Sequence, residues 1–104
     1  MDAFEAIGEP TRRILIELLS EGERSAGELV SHFDISFSAV SQQLRLLSEA
    51  GIVTVRRQGR QRFYRLEPDG LDPLAAWTVK HARAFWERKL RNLGSLLERV
   101  KDGT

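Results

Sequence analysis

Five side chains that can form directed hydrogen bonds lie between positions 38 and 45. A serine hydroxyl donates or accepts, glutamine can bind adenine through two hydrogen bonds, and arginine can bind guanine or a phosphate. At about 100° per residue, four of the five share one side of a helix and one lies at its flank. Serine is a mediocre helix former, so this composition suits a helix that lies close to base edges. A plain polar face is the alternative, and it is the basic hairpin after this helix that favours base contact. The predicted base-reading residues are Ser38, Ser41, Gln42, Gln43 (at the flank) and Arg45.

Arginine is concentrated in the same part of the chain. Six basic residues and one acid, Glu49, lie between Phe37 and Leu66, which leaves ten basic and fourteen acidic residues elsewhere. The formal net charge of +1 therefore conceals a cationic segment in an otherwise acidic chain. A concentrated cationic face is typical of nucleic-acid binders. The residues predicted to contact the DNA backbone are Arg56, Arg57, Arg60, Gln61 and Arg62.

These arginines occupy a segment with the pattern of a β-hairpin. Apolar residues cluster at its base, and Gln58-Gly59 is the expected two-residue turn at its tip. An edge ribbon protected from aggregation by charge is the alternative. Such protection more often uses lysine and mixed signs, whereas arginine without acids favours contact with phosphates or the minor groove.

Two short helices are expected before the hairpin. Ser25 and Glu28 form a capping box that starts the first, Asp34 to Ser36 make a three-residue turn, and Ser36 caps the second. Such a pair is a helix-turn-helix, predicted over residues 25–50.

A short helix over residues 3–8 and a second helix from Pro10 to about Ser20 are expected at the N-terminus. The buried stripe of the second is predicted to hold Ile14, Leu15, Leu18 and Leu19. Its first turn also contains Arg12 and Arg13, which could be solvated or could contact a phosphate.

A long helix is predicted over residues 72–101, after a segment rich in Pro and Gly. Its apolar residues recur every three or four positions, as in helices that pack on one another. A chain of 104 residues has little core to cover so long a helix, so we expect it to pack against a second copy. Packing within one chain is the alternative. The predicted dimer interface consists of Phe4, Ile7, Val79, Ala82, Trp86, Leu90, Leu93 and Leu97.

Composition excludes several other classes of function. The length predicts a single domain over residues 1–104. The chain has no cysteine, and His32 and His81 stand alone, so neither a metal site nor a cofactor is expected. No apolar run could span a bilayer and no signal peptide is evident, so we expect no membrane partner and a cytoplasmic location. No catalytic constellation can be assembled, so an enzyme is not expected.

Three stretches resemble the ArsR-type family of repressors: Gly8 to Arg13, Ser38 to Leu44, and Gly51-Ile52-Val53 leading to Arg62-Phe63-Tyr64. The resemblance implies a mainly α winged helix-turn-helix fold with a small β-hairpin. It would contain about five helices, a two-stranded wing over residues 52–66 and an α-helical dimer interface. It also implies a homodimer that binds double-stranded DNA and represses a promoter until an effector arrives.

The chain departs from the metal-sensing members of that family. Ser25 and Gly27 stand where those members carry a pair of cysteines, so the chain resembles a subgroup without the metal-binding motif. Gln43 stands where many members have histidine, which leaves the base preference open. The sequence does not identify the effector, and because the chain lacks cysteine the effector would not act on a thiol. An apolar small molecule could bind near the aromatic side chains of Trp77, Phe85 and Trp86, although such a stripe is more often core.

Two other readings share the same elements. A winged-helix module that binds proteins rather than DNA would usually lose the cationic wing and expose apolar residues on the second helix of the helix-turn-helix. An RNA-binding hairpin would present stacking aromatics on an exposed sheet, whereas Phe63 and Tyr64 lie toward the hairpin base.

Overall fold

The computed structural model describes residues 1–102, which form five helices and three short strands. The elements are α1 (Ala3–Ala6), α2 (Pro10–Leu19), β1 (Arg24–Ser25), α3 (Ala26–Val30), α4 (Phe37–Glu49), β2 (Val53–Gln58), β3 (Gln61–Leu66) and α5 (Asp72–Asp102). The expected mainly helical fold with an antiparallel hairpin is confirmed. The chain divides into two compact units, residues 1–73 and the segment from Leu74 onward.

The sheet contains one strand more than the predicted two-stranded wing. Its order is β1-β3-β2, all antiparallel, and Arg24 and Ser25 pair with Tyr64 and Phe63. A strand of two residues is too short to show an alternating pattern, so the sequence indicated only the helix cap at Ser25.

The hairpin turn lies one residue later than expected. Gln58 pairs with Gln61, so Gly59 and Arg60 form the two-residue turn. Gly59 has a φ of 62°, and Arg60 does not have a positive φ. A positive φ at the first central position alone is the requirement of a type II′ turn, which suits the twist of a hairpin.

The helix caps position α4. The hydroxyl of Ser36 accepts a hydrogen bond from the N–H of Ala39 (3.1 Å) at its start. At its end Gly51 adopts a φ of 76°, and the N–H of Ile52 donates to the carbonyl of Leu47 (3.0 Å). This is a left-handed C-cap. Because α3 ends at Val30, the connection to α4 is longer than the predicted three-residue turn.

The core of the first unit holds the apolar side of α4. The largest fully buried side chains are Leu15, Leu29, Val40, Leu44, Leu47 and Ile52. In α2 the buried side chains are Leu15, Ile16 and Leu19, whereas Ile14 is exposed, contrary to the predicted stripe. Burial of one side of α4 leaves its serines, Gln42 and Arg45 on the outer side.

Helix α5 is described by itself, as the second unit. It has 31 residues and is therefore about 46 Å long. Large apolar side chains are exposed along it, including Val79, Trp86 (58% exposed), Leu90 (64% exposed), Leu93 and Leu97. Among the described residues, no helix is long and apolar enough to cross a membrane.

Candidate nucleic-acid interface

A groove of about 510 Å³ separates the polar side of α4 from one face of the β2–β3 hairpin. Four of the five predicted base-reading residues line it, together with two of the predicted backbone-contacting residues. Its walls are Ser38, Ser41, Gln42, Arg45 and Ser48 on one side and Val55, Arg57, Arg62 and Tyr64 on the other.

The strand register explains why Arg57 and Arg62 share this groove. They are directly opposite each other in β2 and β3, as are Val55 and Tyr64 two residues closer to the base. Cross-strand partners project from the same face of a sheet, and residues two apart in one strand share that face. The hairpin therefore presents two arginines and two apolar side chains to α4.

The charge of this pair is not neutralised by any side chain of residues 1–100. Within that range, no carboxylate forms an ion pair with Arg57 or Arg62. Like charges directly opposite each other destabilise a strand pair. An anion in the groove would remove that repulsion, which gives this face the chemistry of a phosphate-binding surface.

The opposite face of the hairpin carries arginines that do have partners. Arg56 donates to Glu23 (2.7 Å) and Gln58 (2.6 Å), and its guanidinium lies 4.7 Å from the ring centroid of Phe63. Arg65 is 3.8 Å from Glu67. Of the predicted backbone contacts, Arg56 is thus placed away from the groove and serves the fold.

The pKa values of this ion pair shift in the expected directions. The hydrogen bond from Arg56, followed by its charge, lowers the pKa of Glu23 below the ordinary value of 4.5. The same hydrogen bond raises the pKa of Arg56. Both shifts favour the charged forms, so the pair is ionised at neutral pH.

The remaining predicted wing residues, Arg60 and Gln61, line a second hollow of about 400 Å³, which the hairpin tip forms with β1 and the first turns of α3 and α4. Phe37, at the start of α4, lines it as well. Ser41, Arg62 and Tyr64 border both cavities, so the second hollow continues the groove toward the N-terminal end of α4.

Gln43 is the one predicted base-reading residue that does not line the groove. Its side-chain oxygen accepts a hydrogen bond from Arg12 (2.9 Å). The same guanidinium donates to the backbone carbonyls of Ala6 (2.9 Å) and Glu5 (3.0 Å). Arg12, considered above as a phosphate contact, therefore links the end of α1 to the flank of α4, whereas Arg13 is exposed.

Glu9, the residue that precedes α2, accepts a hydrogen bond from the backbone N–H of Arg12. Partial burial acts to raise the pKa of Glu9, but hydrogen bonds from the backbone N–H groups of Arg12 and Thr11 outweigh it, and the pKa is lowered. Glu9 is the N-cap of α2, where a carboxylate is favoured by the free N–H groups of the first turn.

Sequence reasoning missed several lining residues. Ser48 continues the spacing of Ser41 and Arg45 along α4, so the helical period could have included it. Val55 and Tyr64 could not be assigned to the groove without the strand register. The link from Arg12 to Gln43 joins positions 31 apart and leaves no local signal.

The predicted dimer residues lie in both units. In α5, Val79, Trp86, Leu90, Leu93 and Leu97 are exposed, and Ala82 is half-buried. In the first unit, Phe4 is exposed, whereas Ile7 packs against the core. Among the described residues, no group of three or more His, Cys, Asp or Glu could hold a metal ion.

Comparison with known proteins identifies the relatives of this chain. The family described as "Bacterial regulatory protein, arsR family" matches residues 9–55. An HTH-type transcriptional regulator of Mycobacterium tuberculosis is 35% identical over 102 residues, covering 98% of this chain and 92% of that protein. The transcriptional repressor SdpR of Bacillus subtilis is 34% identical over 78 residues, covering 75% and 87%.

A solved structure extends the similarity to the fold. The crystal structure of a possible transcriptional regulator for arsenical resistance superposes with a TM-score of 0.72 at 45% identity. The alignment covers 88% of this chain and 96% of the other.

The fold and these relatives define a transcriptional regulator with a DNA-binding winged helix-turn-helix. The chain belongs to the ArsR family of bacterial regulatory proteins, and it contains no cysteine. Its relatives are transcriptional regulators and repressors, not enzymes.

Proposed function

We propose that the chain is a homodimeric repressor that binds an inverted-repeat operator in double-stranded DNA. Helix α4 enters the major groove, and the β2–β3 wing lies along the backbone or in the adjacent minor groove. The observation that carries the proposal is the groove between them, where hydrogen-bonding side chains of α4 face two arginines that no acidic side chain of the described part of the chain pairs with.

Each wall of the groove has a separate role in this proposal. Ser38, Ser41, Gln42 and Arg45 make hydrogen bonds to base edges and supply sequence preference. Arg57 and Arg62, joined at the tip by Arg60 and Gln61, contact phosphates and supply affinity without preference. Arg56 and Gln43 contribute at the margins, because other protein groups hold their side chains.

The exposed apolar stripe of α5 supports the homodimer. Its residues from Ala75 to Val100 span about 38 Å on one side of the helix. Monomeric proteins rarely leave so long an apolar surface in water. Packing on the same stripe of a second copy would cover it, with Phe4 of α1 and Ile7, the residue that follows α1, joining the interface. A two-fold axis would then present two copies of α4 to two half-sites.

The regulatory part of the proposal is repression in the cytoplasm, relieved by an effector. SdpR, which is named as a repressor, supports that direction of regulation. Since the chain has no cysteine, the effector acts without thiol chemistry. The repulsion between Arg57 and Arg62 costs stability and would be relieved by a bound phosphate. A module that binds only proteins would keep this cost without relief, which argues against that alternative.

Selection of duplexes from a random pool by the full chain tests the proposal. We expect the enriched sequences to contain an inverted repeat whose half-sites lie about 10 base pairs apart or a multiple of that distance. Failure to enrich any sequence at low ionic strength would exclude sequence-specific DNA binding.

Two neighbouring glutamines provide a matched pair for the base-reading role. Gln42→Ala removes a side chain of the groove, and we expect a loss of about 1–3 kcal/mol on the enriched duplex with a relaxed consensus. Gln43→Ala removes the partner of Arg12 and should change the consensus less. An unchanged consensus for Gln42→Ala would remove Gln42 from the base-reading set.

A second matched pair addresses the dimer. Leu90→Glu places a charge in the apolar stripe, whereas Ser95→Glu places the same charge on the other side of α5. Sedimentation should show a monomer for the first variant and a dimer for wild type and the second. Equal assembly of both variants would contradict the role of the stripe.

A further inference from the structure

The side chain of Phe37 has no explanation in the fold. It is the first residue of α4 and is 58% exposed, more than any other large apolar side chain of residues 1–73. It is not part of the buried core cluster. A polar residue would start the helix equally well, and an exposed phenyl ring leaves a large apolar area in water.

The ring lies beside the cationic surface. Phe37 lines the hollow at the hairpin tip with Arg60, Arg62 and Ser41. Arg62 and Ser41 also line the groove between α4 and the wing. The ring is therefore an exposed apolar element at the edge of a surface that carries hydroxyls, amides and guanidinium groups as well as Val55 and Tyr64.

We propose that Phe37 reads the C5-methyl group of a thymine in each half-site. The N-terminal residues of a recognition helix are those that contact base edges in the major groove. The thymine methyl is the apolar group that a base pair presents there, and phenylalanine is one of the side chains that contacts it. The inference rests on the proposed function and adds a specific base feature that the hydrogen-bonding residues of α4 do not recognise.

Replacement of thymine by uracil tests this inference, because uracil lacks only the methyl group. The probe is the duplex that wild-type protein enriches from a random pool, resynthesised with deoxyuridine at one thymine position of each half-site in turn. At one position we expect wild-type affinity to fall about fourfold per half-site, which corresponds to the loss of one buried methyl group. Phe37→Ala should bind the thymine and uracil duplexes equally, and Phe37→Leu should retain part of the difference.

The controls separate this effect from general loss of binding. Ile14→Ala removes another exposed apolar side chain, on α2, that lines neither cavity. It should discriminate thymine from uracil as wild type does. Circular dichroism should show the same helix content for Phe37→Ala as for wild type, because the ring is not in the core.

Two results would overturn the inference while the proposed function stands. One is wild-type protein that binds every uracil-substituted duplex as tightly as the thymine duplex. The other is Phe37→Ala protein that keeps the wild-type discrimination, which would assign the methyl contact to another residue and leave Phe37 for a protein partner. Absence of any enriched duplex would instead refute the proposed function itself.

Discussion

The two faces of the β2–β3 hairpin carry equal numbers of arginines but differ in whether acidic side chains pair with them. Arg57 and Arg62 project toward α4, are directly opposite each other and have no acidic partner among the described residues. Arg56 and Arg65 project from the other face, where Glu23 lies 2.7 Å from Arg56 and Glu67 lies 3.8 Å from Arg65. One face is neutralised by the protein and the other is not.

This difference teaches that a count of arginines does not identify an interface. A guanidinium that is hydrogen-bonded to a carboxylate and stacked on Phe63 contributes to the fold. Two guanidinium groups that oppose each other weaken the fold slightly and are useful only when an anion is bound. The unneutralised face is also the face turned toward the hydrogen-bonding side of α4.

The largest expected effect comes from removing the unneutralised pair. We expect Arg57→Ala combined with Arg62→Ala to weaken binding to a fixed duplex by about 3 kcal/mol, or roughly 100-fold, at about 1.5 kcal/mol for each charged hydrogen bond. Stability toward urea should not fall, because a repulsive cross-strand pair is lost. Fluorescence anisotropy and urea denaturation measure the two quantities. Tight binding by this double variant would show that the groove is not the DNA surface.

Removing Arg56 should have the opposite profile. Arg56→Ala loses hydrogen bonds to Glu23 and Gln58 and the contact with Phe63, so the urea midpoint should fall. Affinity for DNA should remain close to that of wild type, since this guanidinium faces away from the groove. A large loss of affinity in a variant with a normal urea midpoint would end the distinction between the faces.

The pH dependence of stability offers a smaller test of the neutralised face. Because the pKa of Glu23 is lower in the folded chain than its ordinary value of 4.5, the ion pair stabilises the fold fully above that pH. The contribution is lost as the pH falls through the folded-state pKa. Glu23→Gln should therefore lose less stability than wild type between about pH 7 and about pH 3. Identical acid-induced losses would indicate that the pair contributes nothing.

The smallest effect is expected at Arg65. Its ion pair with Glu67 is exposed and long, so Arg65→Ala should change stability by no more than about 0.5 kcal/mol. Its affinity for DNA should match that of Arg56→Ala. A much weaker complex, measured by anisotropy on the same duplex, would place phosphates on both faces of the hairpin.

The sequence predicted what depends on local periodicity. The polar side of α4, its cap at Ser36, and the hairpin were all expected, because helical and strand periods and turn residues lie within a few positions of one another. The family resemblance supplied the order of the elements and the expected role of the wing.

The sequence could not predict contacts between distant positions. Glu23 and Arg56 are 33 residues apart, and Arg12 and Gln43 are 31 apart. The division of the wing arginines between two faces depends on the strand register, and a shift of one residue would exchange the faces. The displacement of the turn to Gly59-Arg60 shows that this register was not fixed by sequence reasoning.

The salt dependence of DNA binding tests the central claim most directly. The logarithm of the binding constant falls linearly with the logarithm of salt concentration, by about 0.9 for each phosphate neutralised. Relative to wild type, the Arg57→Ala, Arg62→Ala double variant should have a slope that is shallower by about 1.8. The Arg56→Ala, Arg65→Ala double variant has the same net charge and should keep the wild-type slope. Equal flattening in the two double variants would contradict the account.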